Sequence, residues 1–122
     1  MDIYRETILD HYKSPRNFGR LKKPDASGEE HNLSCGDKIG IDIIFSGDKR
    51  RISNIKFWGE GCAISIASAS LLTETVKGKG KNAVSRLNKD DVIELLGTNL
   101  TPTRLKCALL PLEVIQKTVL SF

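Results

Sequence analysis

Cysteine is scarce in this chain: there are three, at positions 35, 62 and 107 of 122 residues. An odd number so widely spaced does not make a disulfide framework. It favours a reducing compartment in which thiols are kept for metal or catalysis. Aromatic residues are few as well, with one Trp, two Tyr and four Phe, which leaves little stacking surface for nucleic acid. No apolar run approaches the roughly 20 residues that cross a bilayer. The opening MDIYRETILDHYKSP is charged and amphipathic, unlike a secretory leader. Neither sign of charge dominates, because 19 Lys and Arg against 15 Asp and Glu give a net charge of +4. The densest basic stretches, Lys49–Arg51 and the trio Lys77, Lys79 and Lys81, read as solvated turns. Paired CxxC knuckles are absent, and GKGKN lacks the G-x-x-x-x-G-K-[ST] spacing of a phosphate loop. The expectation is one cytoplasmic domain spanning residues 1–122, with no membrane and no nucleic-acid partner.

What is present reads as α+β. Asp2 is placed to cap a first helix with Tyr4, Ile8, Leu9 and Tyr12 on its apolar face. Ser14 and Pro15 end it, and residues 16–30, polar with Gly19, Pro24 and Gly28, read as an extended loop. Ile39, Ile41, Ile43 and Phe45 alternate as in a half-buried strand. SGDK at 46–49 turns the chain into a returning strand with Ile55 and Phe57, so the pair is a hairpin with one polar face open to water. A helix over 63–76 is rich in Ala and Ser, which lets another backbone approach closely; KGKGK breaks it. A second, over 89–96, has Asn88 as cap, Asp90 and Asp91 in its first turn and Gly97 as stop. The last helix carries Leu105, Leu109, Leu112, Ile115 and Val119 as a core-facing stripe. Strands first and helices afterwards predict a small antiparallel β-sheet packed against α-helices.

Each thiol falls at an element boundary. Cys35 precedes the hairpin and lies two residues from Asp37; Cys62 lies where strand becomes helix. Cys107 is expected near the start of the last helix. Pro111 has no N–H for the carbonyl of residue 107, a loss that is cheapest in a first turn. A lone cysteine is most often a small buried hydrophobe, but three at boundaries beside a carboxylate suggest more. A thiol next to a carboxylate is a poor nucleophile pair, since the negative charge disfavours the thiolate. A cation between them makes better sense. Three sulfurs and one oxygen form a four-coordinate set suited to zinc or to iron–sulfur chemistry. His11 and His31 read as surface or capping residues. Two other classes fit three thiols: a closed structural zinc domain that transfers no sulfur, and a cysteine hydrolase indifferent to chelators with a base beside its nucleophile.

The segments ILDHYKSPRNFG, CGDKI, FWGEGCAISIASASLLTETVKGK and RLKCALLPLE together resemble the U-type iron–sulfur cluster assembly proteins, namely IscU, SufU and the N-terminal domain of NifU. The resemblance covers nearly the whole chain. It implies an α+β fold in which Cys35, Asp37, Cys62 and Cys107 form one site for a transient [2Fe–2S] cluster or Zn2+. It also implies a cysteine desulfurase and apo iron–sulfur acceptor proteins as partners. The function it suggests is a scaffold that takes sulfur from the desulfurase, binds iron and passes on the cluster. The alternative is a SufU-like zinc-dependent sulfurtransferase. Lys106 stands where typical scaffolds have His, and LTPTRLK lacks their Leu-Pro-Pro-Val-Lys motif; both features resemble SufU. Yet the 44 residues between Cys62 and Cys107 are too few for the insertion that SufU proteins carry there. Cys107 is the expected sulfur acceptor, with Lys106 and a helix N-terminus both favouring its thiolate.

Overall fold

The computed structural model describes residues 3–33 and 36–122; Asp2, Ser34, Cys35 and the side chain of Tyr4 lie outside the described part. The elements run α1 (Ile3–Lys13), β1 (Ala26–Asn32), β2 (Asp37–Phe45), β3 (Ile52–Glu60), α2 (Ala63–Val76), α3 (Lys81–Ser85), α4 (Lys89–Leu96) and α5 (Pro102–Leu120). The three strands form one antiparallel sheet in the order β1-β2-β3. This is the α+β architecture read from the sequence, with β2 at its centre. No described helix is long and apolar enough to cross a membrane.

Ile39, Ile41, Ile43 and Phe45 point from β2 into the core, with Ile55 and Phe57 beside them on β3. The five that are fully buried stabilise the fold by about 1.5–3 kcal/mol each. The expected water-facing side of the hairpin is different. Gly40 and Asp42, on the opposite face of β2, are buried too. The segment after α1 covers them: Arg20 reaches Asp42 and lies over Trp58. That segment also closes the outer edge of β3. The Gly19 N–H donates to the Phe57 carbonyl at 2.8 Å, and the Phe57 N–H donates to the Asn17 carbonyl at 2.9 Å. A sheet edge is thereby removed from solvent.

The expected loop over 16–30 is corrected at its second half, where Ala26–Asn32 is strand β1. ASGEEHN has weak intrinsic strand preference, but its pairing with β2, from Ala26 opposite Ile43 to Asn32 opposite Asp37, overrides it. The apolar face expected for α1 is only partly used: Ile8 is buried, whereas Leu9 and Tyr12 stay largely exposed. The α4 helix begins as its sequence predicts. The Asn88 side chain accepts from the N–H groups of Asp90 and Asp91, and Asp91 accepts from the Asn88 N–H in return. Between α2 and α4, starting at the last lysine of the KGKGK break, lies a short helix, α3 (Lys81–Ser85), that the sequence did not suggest. Its end is tied to α5 by Gln116 Nε2, which donates to the carbonyls of Val84 and Leu87. The α5 stripe is wider than predicted. Leu105 and Leu109 are half-buried, while Cys107, Ala108, Leu110, Pro111, Val114 and Thr118 are buried, because α5 packs against both the sheet and α2.

Candidate metal centre

Three elements meet at one point. Asp37 is the first residue of β2, Cys62 is the N-cap of α2 immediately after β3, and Cys107 lies in α5. Asp37 and Cys107 are buried at 2% and 1% exposure, and Cys62 is half-buried. The ligand atoms of these three all lie within 4.8 Å of one another. Cys35, the fourth expected donor, lies outside the described residues.

The carboxylate of Asp37 organises the group. Its Oδ1 accepts the Cys62 N–H at 3.0 Å, and its Oδ2 lies 3.7 Å from Cys62 Sγ and accepts from the Ser65 hydroxyl. Ser65 Oγ is also 3.6 Å from Cys62 Sγ and 3.2 Å from the Cys107 carbonyl oxygen. Two thiols and a carboxylate suit zinc or an iron–sulfur cluster, and among the described residues theirs is the group of donors able to hold a metal. Tetrahedral zinc with bonds of about 2.3 Å separates its ligands by roughly 3.8 Å. The observed limit of 4.8 Å needs only a small contraction to meet that.

The position expected for Cys107 is corrected. The last helix starts at Pro102, with Thr101 as its N-cap, so Cys107 is past the first turn and the favourable N-terminal dipole does not reach it. Pro111 is an interior proline. It has no N–H to serve the Cys107 carbonyl as a helical donor, and Ser65 Oγ lies 3.2 Å from that oxygen. One residue on, Ser68 donates to the Ala108 carbonyl at 2.6 Å. The small residues of α2 therefore bring it close to α5, as its Ala- and Ser-rich sequence suggests. It is Cys62, not Cys107, that occupies a helix N-terminus.

Lys106 is exposed and lines a groove of about 400 Å³ with His31, Asn32, Leu33, Leu110 and Glu113. Lys106 and Leu110 are neighbours of Cys107 along α5, but the buried Cys107 does not itself line the groove. His31 pairs with Glu29 at 3.1 Å on the surface. His11 bonds Ser70 Oγ at 2.6 Å, tying α1 to α2. Burial, reinforced by the neighbouring Arg16, lowers the His11 pKa. Neither histidine belongs to the donor group. Ser65 was missed by sequence reasoning. The only local signal was its place three residues after Cys62.

The comparisons bear on the same residues. The NifU-like N-terminal domain family matches residues 3–122. The zinc-dependent sulfurtransferase SufU of Bacillus subtilis is 36% identical over 134 residues, covering 96% of this chain and 89% of that protein. That alignment is longer than this chain, so SufU has stretches that this chain lacks, in keeping with the short spacing between Cys62 and Cys107. The iron–sulfur cluster assembly scaffold protein IscU of Aquifex aeolicus is 37% identical over 112 residues, covering 92% of this chain and 71% of that one. A crystal structure from Fervidobacterium islandicum AW-1, described as a scaffold of the SUF system, superimposes with a TM-score of 0.78 at 30% identity and covers 93% and 94% of the two chains. With its donor group at the meeting point of β2, α2 and α5, this chain belongs to the NifU-like N-terminal domain family.

Proposed function

We propose that the chain is an iron–sulfur cluster assembly scaffold. It accepts sulfur from a cysteine desulfurase, binds iron and holds a transient [2Fe–2S] cluster as cargo for apo-proteins. It works in the cytoplasm as one domain of residues 1–122, without nucleic acid or membrane. The observation that carries this reading is the convergence of Asp37, Cys62 and Cys107 from three elements; the family resemblance adds Cys35 as the fourth ligand. Cluster iron prefers soft thiolate, so the hard Asp37 oxygen is the weakest of the four bonds. That suits a cargo that must leave.

Sulfur arrives by thiol–disulfide chemistry. The Cys107 thiolate attacks the outer sulfur of the desulfurase persulfide, an S–S bond forms to Cys107, and the donor S–S bond breaks with the desulfurase cysteine leaving as thiolate. The groove between His31 and Lys106 gives the donor its approach, and the Lys106 ammonium favours the thiolate.

A second reading has an observation of its own. Lys106 stands where the resemblance expects a scaffold histidine, and SufU is among the relatives. In that reading Zn2+ is resident on the same four residues. Bound there, zinc supplies a Lewis acid that keeps the sulfurs as thiolates. The experiment is anaerobic purification with metal analysis, followed by incubation with desulfurase, cysteine, ferrous iron and a dithiol reductant, which supplies the electrons that turn persulfide sulfur into the sulfide of a cluster. Visible cluster absorption and transfer to an apo-ferredoxin support the scaffold. Bound zinc with stimulated desulfurase turnover and no cluster selects the second reading. Absence of both outcomes overturns the proposal.

A further inference from the structure

At the middle of the donor group sits a side chain that is not itself one of the metal donors. Ser65 is fully buried, one turn into α2. Its hydroxyl donates to Asp37 Oδ2 and lies 3.2 Å from the Cys107 carbonyl and 3.6 Å from Cys62 Sγ. A serine hydroxyl has one proton, and a carboxylate holds it more strongly than a neutral carbonyl does. The other carboxylate oxygen is fixed by the Cys62 N–H. Both oxygens of Asp37 are thus oriented from the start of α2, one by main chain and one by Ser65.

We propose that Ser65 is a positioning residue of the metal centre. Its hydroxyl sets the rotation of the Asp37 carboxylate that turns Oδ2 towards Cys62 Sγ, and its place in the first turn of α2 ties that rotation to the helix start that carries Cys62. This rests on the metal-centre reading and adds a residue to it. Without the hydroxyl, Oδ2 loses this partner and the carboxylate gains freedom about its Cβ–Cγ bond. Loss of a hydrogen-bond partner behind a ligating group typically weakens metal binding about 10–100-fold.

The test is zinc affinity, measured by competition with a chromophoric chelator, for the full chain, Ser65→Ala, Asp37→Ala and the double variant. Ser65→Ala is expected to bind zinc about tenfold or more weakly. The double variant is expected to match Asp37→Ala alone, because Ser65 acts through that carboxylate. Cobalt(II) spectra add a signature: the d–d bands shift in Ser65→Ala while the thiolate charge-transfer bands persist. If Ser65→Ala fails to fold, Ser65→Thr against Ser65→Val repeats the comparison at constant shape, with Thr the tighter binder. An affinity within twofold of the parent, or an equal loss with and without Asp37, overturns the role of Ser65 and leaves the metal centre standing. A parent chain that takes up no zinc overturns both.

Discussion

Arg20 Nε donates to Asp42 Oδ2 at 2.9 Å, and the same guanidinium lies 3.6 Å from the centre of the Trp58 ring. The carboxylate is fully buried in the central strand and also accepts from Ser27 Oγ at 2.7 Å and the Leu21 N–H at 3.0 Å. Burial pushes its pKa up, but the bonds from Arg20, Ser27 and Leu21 outweigh burial and hold it below the ordinary Asp value. A folded-state pKa below the unfolded one adds stability at neutral pH, which is lost as pH falls through the folded value. The urea midpoint should therefore drop below about pH 4, and drop less steeply in Asp42→Asn. Parallel pH profiles for the two proteins would refute the assignment.

Removing the cation alone is the harsher change. Arg20→Ala leaves a buried carboxylate without its counter-charge and uncovers Trp58. A loss of roughly 1.5–3 kcal/mol, read as a lower midpoint in urea, is expected, because the guanidinium is exposed and Asp42 keeps Ser27 and Leu21 as donors. A change under about 0.5 kcal/mol would place Arg20 among ordinary surface residues.

Gly59 lies in β3 with φ +132°, and a Cβ there would fall 2.0 Å from the Lys38 carbonyl oxygen. The obstacle is backbone, so no side chain can swing aside. Gly59→Ala is expected to cost about 3 kcal/mol or more. Because Lys38 follows Asp37, zinc affinity should fall with it. A variant with unchanged melting temperature and unchanged affinity contradicts this.

Replacing Cys35, Cys62 or Cys107 singly with Ser removes a thiolate from the proposed set. Each variant should bind zinc far more weakly than the parent, with the loss smaller at pH 6 than at pH 8, because the parent must release three thiol protons on binding and each variant only two. Parent-like stoichiometry and affinity in all three would dismiss the shared site.

Persulfide mapping by mass spectrometry, after incubation with desulfurase and cysteine, should find the extra sulfur on Cys107. Lys106→Ala should slow that labelling severalfold, since it removes the cation lining the groove. Cys62 is the competitor, being the more exposed thiol and the one at a helix N-terminus. Label confined to Cys62 would move the acceptor there.

Much of this molecule could be read before folding. The limits of α2 and α4 followed from local signals, such as the Asn88–Asp91 capping box and Gly97 in the left-handed region at φ 76°. Strand β1 could not be read, because ASGEEHN becomes a strand only through pairing with β2. The buried side of the hairpin was hidden for a similar reason: Arg20, 22 residues away, covers Asp42. Pro111 misled because two prolines fit one rule. Pro102 opens α5, whereas Pro111 sits inside it opposite a serine from another helix. Asp37 and Cys62 stand at the element boundaries where the sequence put them, whereas Cys107 lies inside α5; Ser65 gains its meaning from Cys62 three residues before it and from Asp37 and Cys107, both remote in sequence.

The spacing of the donors has a thermodynamic side. From Asp37 to Cys62 is 25 residues and from Cys62 to Cys107 is 45. An ion or cluster shared by the three is a cross-link spanning both intervals. In the chain-entropy account, closing one loop of either length restrains the unfolded chain by about 3–4 kcal/mol. On the proposed function this cross-link dissolves when its centre is handed on, and the chain-entropy account makes the loaded protein the more restrained form. A partner that supplied iron or sulfur would then meet the looser form, and a partner that received the cluster the firmer one.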